Sequence, residues 1–203
     1  GLTVDLTKID FEKLHDEFKN RVKHKAAALQ DIRTLVEAKL QQMLAANPQR
    51  MDFYRKYQEI VADYNREKDR ATVEQTFAQL VGLAATLDAE QRRSVQEGLT
   101  EDELALFDLL SKAGISKAAR ERLKQASRGL LIALAARLAQ MERWTEKEQT
   151  QADVKVLILD QLSETLPDPP YTAAEVTAAA DKIYQFVWQR SAAGIPFNPK
   201  PAA

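Results

Sequence analysis

Thr100-Glu101-Asp102-Glu103-Leu104-Ala105-Leu106-Phe107-Asp108-Leu109-Leu110 decides the fold class. A threonine followed three residues later by a glutamate, just ahead of an apolar run, predicts a reciprocally capped helix start. The three carboxylates of its first turn meet the positive end of the helix dipole, which explains their clustering without any acid–base role. Leu104, Phe107, Leu109 and Leu110 give the helix its buried body. The same grammar recurs on both sides. Upstream, Asp88 reads as the cap of a short polar helix closed by Gly98. Downstream, Gly114 closes the capped helix, and Ser116 caps a long one running to about Arg143. That long helix buries Leu123, Leu130, Leu134, Leu138 and Met141. Thr145 with Glu148 opens another through Val156, Leu159 and Leu162. Residues 154–159 have strand-like composition, but the flanking periodicity is helical and no partner strand exists, so they are read as helix. Thr172 with Glu175 opens the last helix, with Val176, Ala180, Ile183, Tyr184, Val187 and Trp188 on its apolar side.

Toward the N-terminus the pattern lengthens. Phe11, Leu14, Phe18, Val22, Leu29, Ile32, Val36, Leu40 and Met43 recur at spacings of three, four or seven. They predict one helix from near Thr7 or Lys8 to about Ala46, on the order of 60 Å long. A helix of that length projects, bends or braces another element. Lys25 falls on its apolar stripe and is placed at the rim, its stem along apolar surface and its head in water. Asn47-Pro48 breaks the helix, as an N-cap followed by a proline in the first turn of the next. That next helix buries Phe53, Tyr57, Ile60, Val61 and Tyr64, a stripe read as core rather than as a base-stacking surface. The charged stretch from Asn65 to Arg70 interrupts it. Thr72 with Gln75 restarts a helix that buries Phe77, Leu80, Val81, Ala84 and Leu87.

Composition agrees with this reading. Six Gly and seven Pro among 203 residues supply too few turns for a sandwich or barrel, while 45% hydrophobic residues suffice for a real core. The expected fold is all-α, an irregular bundle of seven to eight helices with a long N-terminal helix. It forms a single helical domain over residues 1–190, followed by a flexible Pro-rich tail over 191–203. Within that domain Pro167, Pro169 and Pro170 read as a stiff linker. No helical-repeat period is evident.

Charge and chemistry narrow the function. Twenty-nine Lys and Arg stand against 30 Asp and Glu, so no global field draws the chain onto DNA or anionic lipid. The absence of cysteine rules out disulfides, thiol nucleophiles and thiolate metal sites, and fits a reducing, cytoplasmic setting. The longest apolar run stops at Arg137, far short of a membrane span, and no signal peptide is visible. Starting at Gly1, the chain reads as an excised piece of a longer polypeptide.

His15 and His24, nine residues apart, are not placed as paired helical ligands, and His15-Asp16-Glu17 lacks the second histidine of a zinc helix. Glu37-Ala38-Lys39 has a nuclease-like spacing, but on a helix residues two apart point about 200° apart. No phosphate-binding glycine loop or nucleophile elbow occurs. The sequence therefore holds no candidate catalytic, metal-binding or cofactor-binding residue. One electrostatic feature stands out: Lys117, Arg120, Lys124 and Arg128, spaced three, four and four, form a basic stripe along one helix. They are the candidate contacts for an acidic partner or DNA, weighed against an ordinary solvated face. Lys19, Arg21, Lys23, His24 and Lys25 wrap around the first helix instead of lining one side.

Three segments carry a resemblance. Asn47-Pro48-Gln49-Arg50-Met51-Asp52-Phe53 is followed by Glu59-Ile60-Val61 and Tyr64-Asn65. Residues 98–110 and the ending Ile183-Tyr184-Gln185-Phe186-Val187-Trp188 come after it in order. Together, from about Phe11 to Trp188, they resemble the C-terminal helical region of the motor subunits of type I restriction enzymes. The resemblance implies a fragment without catalytic residues of its own. Cleavage and ATP- and Mg-dependent translocation would belong to upstream domains of the parent subunit, an ATP-dependent type I site-specific deoxyribonuclease. It also implies a role in attaching that subunit to the methyltransferase core, made of modification and specificity subunits, and contact with other domains of the same subunit. Phe53, Tyr64, Phe107 and Trp188 sit where such a core wants bulk. The alternative is a DNA-guiding module that uses the basic stripe beside the motor.

Overall fold

The computed structural model describes residues 25–66 and 70–198. Seven α-helices occur among them and no strand: α1 (Lys25–Ala46), α2 (Met51–Arg66), α3 (Arg70–Glu97), α4 (Glu101–Leu110), α5 (Lys117–Leu138), α6 (Glu148–Thr165) and α7 (Ala173–Ala192). Short 3-10 turns cover Pro48–Arg50 and Trp144–Glu146. The N-terminal half of the expected long first helix, with His15, His24 and most of the basic cluster, lies outside the described residues. Lys25 is half-buried and paired with Glu74, a rim position with a partner. Glu37 and Lys39 lie on a helix, as expected, and Glu37 accepts a hydrogen bond from the Tyr57 hydroxyl at 3.2 Å.

Where the sequence suggests one domain over 1–190, the chain divides into two compact units between Gln96 and Glu97. Each has its own apolar core. Hydrophobic periodicity reports which face of a helix is buried, not which core receives it.

In the first unit, α1 contributes Leu29, Ile32, Val36, Leu40 and Met43, at the predicted spacing. Asn47 breaks the chain as expected, its side chain accepting from the Gln49 N–H at 3.1 Å. Tyr57 and Ile60 of α2 join the core, with Phe53, Val61 and Tyr64 packed at its edge. α3 corrects two expectations. It already runs from Arg70, so Thr72 lies inside the helix. It also passes unbroken through Asp88, which pairs with Arg92 one turn on at 3.8 Å and caps nothing. A cap-like residue starts a helix only where the chain also turns. Here Leu80, Leu83, Ala84, Leu87, Glu90 and Ser94 carry one buried stripe straight past it. Beneath that stripe Arg50, 3% exposed, donates to Glu90 at 3.1 Å.

The second unit is built around α4. Leu104, Ala105 and Leu106 have no exposure at all and Phe107 has 1%, so the helix is buried nearly all round. It packs against α5 and α7, and α6 packs against both of those. α4 ends at Leu110, earlier than Gly114, which instead supplies the left-handed turn (φ +77°) before Ser116 caps α5. α5 stops at Leu138, short of Arg143, so Leu138 and Met141 pack only at the core's edge.

The expected cap at Thr145 is absent. Trp144–Glu146 form a 3-10 turn, Arg143 takes a left-handed conformation (φ 49°), and α6 begins at Glu148 without a side-chain cap. Residues 154–159 are helical as read. The buried face of α6, however, is Val154, Ile158 and Leu162, while Val156 and Leu159 are 56% and 38% exposed. Trp188 is likewise outside and Trp144 inside, against Tyr184. The proline segment is part of this core and joins no domains: Leu166, Pro167 and Tyr171 are buried.

The tail over 191–203 also departs from expectation. Residues 194–198 fold back, and Phe197, 8% exposed, meets Phe186 edge-on at 5.9 Å. Residues 199–203 lie outside the described ones. Proline-rich composition signals a chain that makes few backbone bonds of its own, and here Phe197, together with hydrogen bonds to Asp102 and from Arg190, seats it.

Leu106→Ala should cost the second unit about 2–5 kcal/mol, because the cavity it opens is enclosed on every side. Val95→Ala, at a position 81% exposed in the first unit, should cost less than about 0.5 kcal/mol. Urea unfolding of the two variants checks both.

Candidate functional site

The polar groups of the second unit gather at the two ends of α4. At its N-terminus the predicted capping box is complete: the Glu103 N–H donates to Thr100 Oγ1 at 3.2 Å, and the Thr100 N–H donates to Glu103 Oε1 at 3.0 Å. Gly98, in the left-handed region at φ +68°, makes the turn between α3 and this cap.

The basic stripe converges here. Arg120 pairs with Glu97 and stacks over the Phe107 ring at 4.9 Å. Lys124, only 9% exposed, reaches the other Glu97 oxygen at 2.9 Å and Glu121 at 3.5 Å. Arg128 donates to the Gly98 carbonyl at 2.9 Å and lies 3.6 Å from Glu103 Oε2. Lys117 stays exposed at the start of α5. Three of the four cations therefore face carboxylates of their own unit. The hydrogen bond from Lys124, aided by the Arg120 charge, holds the Glu97 carboxyl below its usual range despite partial burial. Sequence spacing revealed the cations; their partner, Glu97, carries only the weak signal of a helix-final glutamate before glycine.

A second cluster has no local sequence signal, because its members are far apart in the chain. Asp102 pairs with the buried Arg190 and accepts the Asn198 N–H at 3.0 Å. Arg190 also donates to the Pro196 carbonyl at 2.8 Å and stacks on Phe197 at 4.2 Å. The returning chain walls a cavity of about 340 Å³ against Ala135, Leu138 and Ala139 at the end of α5 and against Trp144. At the other end of α4 the Tyr171 hydroxyl donates to the Leu110 carbonyl at 2.6 Å, and burial, with the nearby Glu175, pushes its pKa up to about 12. Lys112 donates at 2.7 Å both to Glu175 and to the Pro170 carbonyl.

None of these groups is arranged as a nucleophile beside a base. Among the described residues no three His, Asp or Glu converge to hold a metal, and no helix is long and apolar enough to cross a membrane. What the described residues define is an all-helical domain whose ionic groups tie helices together. Residues 3–187 match the family of type I restriction enzyme HindI endonuclease subunit-like C-terminal domains, and the chain belongs to that family. No curated protein and no solved structure matches it.

Two outcomes follow from this geometry. Glu97 has a lowered pKa in the folded state, so its contribution to stability is full above the usual carboxylate value of 4.5 and fades as pH falls through the lower folded value. Glu97→Gln should therefore be less stable than the parent at pH 7, with the gap closing in strong acid, as read by urea unfolding across pH. Asp102→Ala leaves Arg190 buried without its carboxylate and should cost about 3–5 kcal/mol. Limited proteolysis should then cut residues 194–198 faster than in the parent.

Proposed function

We propose that this domain is a non-catalytic docking element of a type I restriction–modification endonuclease, attaching the nuclease–translocase subunit to the methyltransferase core. The family match over residues 3–187 carries this reading. A C-terminal domain of such a subunit has to keep DNA cleavage and ATP-driven translocation in register with a recognition step performed elsewhere in the complex. Helical units whose buried ionic groups tie helices together, with no catalytic constellation among the described residues, suit that task. ATP and Mg²⁺ belong, on this reading, to upstream parts of the subunit. The DNA-guiding alternative asks Lys117, Arg120, Lys124 and Arg128 to meet phosphates, yet three of them already have carboxylate partners.

Light scattering coupled to gel filtration tests the proposal, on the domain alone and mixed with its cognate methyltransferase. Co-elution as a stable complex is expected. Separate elution at concentrations on the order of tens of micromolar would overturn it. Binding to duplex DNA alone would favour the alternative, if it weakens by about 0.9 log units per log salt for each neutralised phosphate.

A further inference from the structure

We propose that the outward face of α6, Val156 and Leu159 beside Asp160 and Glu164, is the surface that meets the methyltransferase core, and that it binds an apolar patch rimmed by basic side chains. The assignment rests on the docking reading above. α6 has two apolar faces and only one is used within the unit. Val154, Ile158 and Leu162 are completely buried at i, i+4, i+8. Val156 lies two residues from Val154 and from Ile158, about 200° around the helix from each. Leu159, at i+3, adjoins it. Both are among the large hydrophobics the second unit leaves exposed.

The carboxylates continue the same side. Asp160 follows Val156 by four residues and Glu164 follows Asp160 by four, so the three stand one above the other. Asp160 and Glu164 are exposed, and among the described residues neither takes part in an ion pair. Their surroundings reinforce the sign. From residue 148 to 192 the chain carries seven carboxylates against three cations. Asp153 and Glu175 are paired with Arg137 and Lys112, and Arg190 with Asp102, which leaves five carboxylates against Lys182 and Lys155, the latter lying over the Tyr184 ring. A face with an apolar centre and an acidic edge repels nucleic-acid phosphates. It selects a protein surface of opposite charge, which speeds encounter while the apolar contact supplies the hold.

The test uses the whole domain and the methyltransferase core. One variant reverses charge, Asp160→Lys with Glu164→Lys; the other removes the apolar contact, Val156→Ser with Leu159→Ser. All four positions are exposed, and circular dichroism with urea unfolding verifies that both variants fold. Each should weaken binding about tenfold or more, and the charge reversal should do so mainly by slowing association. Binding by the parent should also weaken as salt rises from about 0.1 to about 0.5 M. If the parent binds and both variants bind as tightly, the surface is misassigned and docking stands. If the parent itself fails to bind, the docking reading falls and the assignment falls with it.

Discussion

A ten-residue helix buried on nearly every side is the constraint on which the second unit depends. α4 is too short to be stable alone, so its helical form comes from tertiary packing. Packing it, however, withdraws both of its ends from water, with the unpaired N–H groups of the first turn and the unpaired carbonyls of the last. The rest of the unit answers that problem. Thr100 and Glu103 satisfy the start, and Tyr171 reaches the Leu110 carbonyl at the finish. Asp102 and Glu103 also compensate the helix dipole, and each then needs a cation of its own, from α7 and α5 respectively. The ion pairs of Asp102 and Glu103 are thus a consequence of burying one helix.

The basic stripe on α5 takes its meaning from the same constraint. Seen as a row of four cations, it suggests a surface for phosphates. In the fold Arg120, Lys124 and Arg128 are turned toward α4 and the last residue of α3, where carboxylates match them, and only Lys117 stays exposed. On α6 and α7 some carboxylates are matched within the unit, Asp153 by Arg137 and Glu175 by Lys112, whereas Asp160 and Glu164 take part in no ion pair among the described residues.

Much of this was legible in the sequence, and the limits have physical causes. Helix starts at Thr100, Ser116 and Thr172 were readable because cap and partner lie within three residues, so local chemistry settles them. Asp88 and Thr145 carried similar letters and capped nothing. At Asp88 the apolar stripe continued through, and at Thr145 a left-handed Arg143 moved the start to Glu148. The face of α6 was misread because apolar residues occupy both sides, and periodicity alone does not say which side meets the core. The Asp102–Arg190 and Arg120–Glu97 pairs were invisible, since they join residues 88 and 23 apart. The family of the chain was readable from the order of its motifs, whereas the division at Gln96 was not, because α3 runs across it as one helix.

The returning segment at the end of α7 has a consequence for where this domain stops. Similarity to the family ends at residue 187, but the apolar core does not: Phe197 belongs to it, and Arg190 is buried beside Phe197. A chain ended at the similarity boundary would retain every residue that identifies it and lose the aromatic plug over Phe186. The limits of a domain drawn by likeness and the limits drawn by burial are different quantities, and here they differ by a segment that closes the fold.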